Sequence, residues 1–227
     1  MGFFDRRRPE TEDDEPDDED ELDEPRATYL GGVVPIEALV ARSESAAVAV
    51  RHVVAYPDGF EFTVEVWVRL PAPRRRPWEP IMLELVGYPP GKDPPPEFLR
   101  FGIEFPDGAT VTNLDAGPWE TSPDATQPEH GMESQHGSGS YGHHEQTMWA
   151  WPVPDADDGV VAFVCEWPAY DIAETRYEID AGELRRAAGR ARAVWPDLTG
   201  PSHVTRSAIT GTLSTQTMRS QRREAEE

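Results

Sequence analysis

Residues 60–70 alternate with a period of two, broken only by Trp67 among the polar positions. Phe60, Phe62, Val64, Val66, Val68 and Leu70 are interleaved with Glu61, Thr63, Glu65, Trp67 and Arg69. A period of two puts one set on each side of a half-buried strand. Just before it, Val48, Val50, His52, Val54 and Tyr56 alternate with Ala47, Ala49, Arg51, Val53 and Ala55. The link contains Pro57 and Asp58, which begin a turn, and Gly59, which supplies the positive φ needed to leave it. The two segments form a hairpin.

The same pattern recurs downstream. Leu99, Phe101, Ile103 and Phe105 share a face, and Pro106, Asp107 and Gly108 turn the chain into a strand over 109–114. A third hairpin is expected between 148–153 and 160–167, and a further short strand at 81–86. The run from Val160 to Trp167 is apolar on both faces, which suits a central strand covered on both sides. Asp180 can cap a helix, with Glu183 in the capping-box position and Leu184, Ala187, Ala188, Ala191, Val194 and Trp195 at helical spacing. The reading is mainly β: an antiparallel two-sheet β-sandwich of about seven strands over residues 33–196, with one C-terminal amphipathic helix at about 181–195.

Composition sets the limits of that domain. Of the 227 residues only 37% are hydrophobic, and 43 acids against 21 bases give a net charge of −22. Residues 1–25 alone hold 13 acids and three arginines. Self-repulsion and absent apolar side chains leave nothing to offset the entropy of ordering, so 1–32 is expected to be a disordered acidic tail. The polar stretch 197–227 is expected to be a second. Residues 71–97, with nine prolines, read as a stiff extended excursion, and 115–143, rich in Gly, Ser, Pro and His, as a mobile loop. Phosphate neutralisation is repulsive for such a chain, so nucleic acid is not an expected partner. No apolar window is long enough to span a membrane. The start carries no secretory signal, and Cys165 stands without a disulfide partner, so the expected compartment is cytoplasmic.

Several segments together carry a resemblance: AYPDGFEF, FGIEFPDG, a W-x-WP-x-P strand at Trp149 to Pro154, and FVCEWPA leading into the helix. In these, over about residues 33–196, the chain resembles a set of uncharacterised actinobacterial proteins. With no activity assigned to that set, the resemblance implies a fold pattern and no catalytic residues.

Candidate chemistry is sparse. His130, His136, His143 and His144 fall within 15 residues, near Glu129, Glu133 and Glu145, and imidazole with carboxylate suits zinc, copper or nickel. There is no H-E-x-x-H pair, and the Gly- and Ser-rich backbone is poorly suited to holding ligands rigidly. His144 beside Glu145 could serve as a general base, but no nucleophile or oxyanion hole is evident, so a structural hydrogen bond is the plainer reading. Trp149 and Trp151 share a face and, with Glu145, make a candidate ligand or partner surface; the alternative is that the terminal helix and Trp195 cover it. Glu166 interrupts an apolar run and calls for an arginine partner. Cys165 lies in an apolar strand and should be unreactive. Phe3 and Phe4 beside three arginines resemble a docking motif on a tether.

No cofactor is implied. The sequence points to a non-enzymatic interaction or accessory protein with an unidentified protein partner. The alternative is a metal- or small-molecule-binding protein using the His-rich loop 130–145 and the Trp149/Trp151 strand.

Overall fold

A computed structural model describes residues 28–69, 95–114, 128–140, 142–155 and 159–195. The strands are β1 (Tyr29–Leu30), β2 (Gly32–Val33), β3 (Ala38–Arg42), β4 (Ala46–Ala55), β5 (Phe60–Val68), β6 (Arg100–Glu104) and β7 (Thr110–Thr112). They continue with β8 (Gly131–Ser140), β9 (His143–Trp151), β10 (Val160–Trp167), β11 (Ile172–Asp180) and β12 (Arg192–Ala193). Helix α1 (Ala181–Ala188) follows β11 directly. The protein is thus mainly β and antiparallel, as expected. Six of the seven expected strands are present; the seventh, 81–86, lies outside the described residues. So do most of 1–32, all of 197–227 and most of the proline-rich excursion.

One sheet runs β2-β4-β5-β9-β8, with β3 also paired to β4, and the other runs β11-β10-β6-β7. Their inner faces meet through aromatic rings. Phe62 of β5 lies 5.2 Å from Phe163 of β10 and 6.1 Å from Phe101 of β6, between ring centroids. Val48, Val50, Val64, Val66, Leu99, Ile103 and Val161 fill the rest of this core. All but Val161 come from the apolar half of an alternating segment, so there the period-two signal and the buried face coincide.

The β4–β5 and β6–β7 hairpins form where the turn residues placed them. Gly108 has φ 88°, as its turn requires. Gly59 does not take the expected positive φ; its role is space, because a Cβ there would lie 2.5 Å from the Trp149 ring. The alternation expected along β4 also breaks. His52 has φ 54° and the register shifts between Arg51 and Val54, so Val53 and Ala55 turn inward in place of Val54. A bulge of this kind switches faces by inserting one residue.

Three expectations are corrected. The hairpin joining 148–153 to 160–167 does not exist: β9 pairs β5 and β8, whereas β10 pairs β6 and β11 in the other sheet. Pro152 and Pro154 lack the N–H donors needed to extend β9 into such a ladder. The Gly- and Ser-rich loop is also partly a strand, since Gly131–Ser140 is β8. Finally, the helix stops at Ala188 instead of running to 195. Gly189 is a poor helix former, and beyond it Arg192 and Ala193 pair with Leu30 and Tyr29.

Asp180 caps α1 as anticipated, its Oδ1 accepting from the Gly182 N–H at 2.9 Å. Ala181, Leu184 and Ala187 face the core while Arg185 and Arg186 stay wet. The helix lies so close to β2 that a Cβ at Gly32 would fall 1.9 Å from the Ala187 carbonyl oxygen. No helix among the described residues is long and apolar enough to cross a membrane.

Candidate functional site

The β8–β9 hairpin carries all four candidate histidines or adjoins them, and the pleat distributes them. His143 and His144 are consecutive on β9, so their side chains leave opposite faces of the sheet. On the outer face, the His143 ring stacks on Trp67 with 5.1 Å between centroids, and its Nε2 lies 3.6 Å from Glu65 Oε2. Also on that face, His136 Nε2 is 3.2 Å from Thr147 Oγ1. His130, just before β8, sits 3.0 Å from Asp107 and packs edge-on against Phe105, tying the hairpin to the β6–β7 turn.

His144 points inward, 4% exposed, with no hydrogen-bond partner on either ring nitrogen. Gln146 and the Ser138 backbone are the polar groups beside the ring. Burial holds its pKa below the usual imidazole value, with Gln146 and Ser138 opposing that shift and His143 adding slightly to it. Among the described residues, no three His, Cys, Asp or Glu side chains converge as a ligand set. The metal expectation for His130, His136, His143 and His144 gains no geometry: strand alternation separates residues that the sequence crowds together.

Of the two candidate aromatics, Trp149 is buried and Trp151 half-buried. Trp149 is 2% exposed, packed 5.6 Å from the Tyr56 ring and over Gly59. Trp151 covers Gly131, where a Cβ would lie 2.0 Å from its ring, and donates Nε1–H to the Pro128 carbonyl at 3.1 Å. Trp195, expected to help cover this face, is instead exposed. Glu145 accepts a hydrogen bond from Ser138 Oγ at 2.7 Å and stands opposite Glu65 in register. Phe3 and Phe4 lie outside the described residues.

Two expectations about single residues hold. Arg100 stands opposite Glu166 and pairs with it. Cys165 is buried, and burial, with the Glu166 charge adding to it, pushes its thiol up to about 12. It is no nucleophile at neutral pH.

Sequence reasoning missed Glu65. It occupies a polar position of β5 and should be wet, yet it is 4% exposed, 2.9 Å from Arg51 on the neighbouring strand. Only the β4–β5–β9 register brings Arg51, Glu65, Glu145 and His143 together, and no local motif announces it. The hydroxyls beside this cluster are engaged. The Ser138 hydroxyl is committed to Glu145, and the Thr147 hydroxyl to His136. Nearby, Leu39, Arg42, Trp67, Val68, Arg69 and Gly142 line an open depression of about 780 Å³ that takes in none of the four histidines.

No protein-family model, curated protein or solved structure matches the chain.

Proposed function

We propose that this chain is a non-enzymatic β-sandwich interaction module. The supporting observation is the apolar surface left over once the core is filled. Leu30, Val33, Val194 and Trp195, between 49% and 69% exposed, lie on or beside the two-stranded β1–β12 ribbon. Large apolar side chains gathered at one place favour burial against another protein. The acidic charge argues against nucleic acid as that partner, and the cytoplasm suits the buried, unpaired thiol. Kinship with the actinobacterial set is part of the same proposal and adds no activity. The metal- or small-molecule-binding alternative draws no support from histidines spread over two faces of a sheet and a buried Trp149.

The test is a photo-crosslinking amino acid in place of Trp195, introduced in the full chain in its native cells. The expected result is one predominant crosslinked polypeptide, lost on Leu30→Asp with Val33→Asp while thermal stability is kept. Absent or indiscriminate crosslinking would defeat the proposal.

A further inference from the structure

β8 is the terminal strand of the order β2-β4-β5-β9-β8, and its residues 136–140 are all exposed. Their sequence, His-Gly-Ser-Gly-Ser, has neither proline nor lysine, the residues that ordinarily blunt an edge. An antiparallel edge strand turns alternate N–H and C=O groups away from its partner, which among the described residues is β9 alone.

The polar groups behind this edge are unsatisfied. Five buried side-chain nitrogen and oxygen atoms lack a hydrogen bond among the described residues. Four of them lie on the β8–β9 hairpin: Gln135 Oε1, both ring nitrogens of His144, and His143 Nε2, which has the Glu65 carboxylate 3.6 Å away. Buried polar atoms left unpaired cost about 1–3 kcal/mol each, so their concentration beside one bare edge points to an absent partner group.

Geometry directs His144 toward that edge. Gly139 is its cross-strand partner, and a Cβ on Gly139 would lie 2.7 Å from His144 Nδ1. The imidazole therefore lies across the space a β8 side chain would fill. A residue paired opposite Gly139 from beyond the edge would project on the same face, roughly 5 Å away, alongside the ring. A neutral imidazole offers one lone pair there, which an ammonium or guanidinium donor satisfies.

Charge selects the same donors. No lysine or arginine occurs between Arg100 and Arg176, and the hairpin carries Glu133 and Glu145. A second copy would bring its own acids to the edge on a chain of net charge −22. We propose that the outer edge of β8 at residues 136–140 is a strand-addition site for an extended, basic segment of a partner protein. The site shares the general interaction reading above but none of the ribbon's residues, so the two can fail separately.

The experiment uses the full chain and three synthetic hexapeptides. One alternates arginine with valine, one is the same peptide N-methylated at alternate residues, and one alternates glutamate with valine. Amide hydrogen exchange at residues 136–140 should slow roughly tenfold with the basic peptide at about 1 mM. It should not change with the N-methylated peptide, which keeps the charge but lacks the ladder donors, nor with the acidic one. Equal protection by the N-methylated peptide would mean charge attraction alone and overturn the proposal. So would protection of 136–140 in the chain without peptide, whether from its own segments or from a dimer seen in sedimentation. Unchanged exchange with all three peptides would overturn it as well, and would leave the crosslinking result at Trp195 standing or falling on its own.

Discussion

The carbonyl oxygen of Ala187 on α1 occupies the place that a Cβ at Gly32 on β2 would need, at 1.9 Å. Backbone cannot step aside as a long side chain can. Gly32→Ala is therefore expected to lift the helix from the sheet and cost about 3 kcal/mol. Gly108→Ala is the control, because nothing lies within 4 Å of its Cβ and only its φ of 88° is strained. That substitution should cost about 1 kcal/mol. Urea denaturation of both variants checks the ordering; equal losses would mean that α1 is not packed on β2 in this way.

Phe62 joins the two sheets. Its ring lies 5.2 Å from Phe163 and 5.9 Å from Phe60, and the residue is fully buried. Phe62→Ala should leave a cavity at the centre of the sandwich and cost about 4 kcal/mol. Phe62→Leu keeps most of the volume and should cost much less. A small loss for the alanine variant in thermal melts would show that the sheets do not meet through this ring.

His144 makes stability depend on pH, and the sign follows from its depressed pKa. Above the unfolded value of about 6.5 both states hold a neutral ring, and this group adds no pH dependence. Below it the unfolded chain takes up the proton first, so the folded state loses stability until the pH reaches the lower folded pKa, where the loss levels off. Denaturation at a series of pH values between 7.5 and 5, compared with the His144→Gln variant, should show the wild type losing more stability. An NMR titration placing the His144 midpoint at or above 6.5 would contradict the prediction.

How far the sequence carried depended on the kind of signal. β4, β5, β6, β7, β9 and β10 were legible because alternation and turn residues are local. β11 was not, because Ile172 and Ile179 are its only buried residues before the helix and the positions between them are Ala, Glu, Thr, Arg, Tyr and Glu. β8 was hidden for a different reason. Glycine reads as a loop former, but Gly137 and Gly139 are glycine because Gln146 and His144 lie across them. The Glu65 environment depends on register among three strands, which periodicity does not encode. The histidine cluster misled for the converse reason, since neighbours along a strand are separated in space by the pleat.

Cys165 offers a test of the smaller sheet's integrity. The thiol is 1% exposed on β10, between β6 and β11, and its pKa is raised to about 12 by burial and, secondarily, by Glu166. At pH 8 the native chain should hold almost no thiolate, so iodoacetamide should modify it only when the sandwich opens. Mass spectrometry should then show labelling that is slow in buffer and complete in urea. Arg100→Ala removes the partner of Glu166, and the pair is about one-third exposed, so the loss should be below about 1 kcal/mol and labelling should quicken only a few-fold. Fast labelling of the wild type in buffer would mean that β10 is an accessible strand and that the order β11-β10-β6 is wrong.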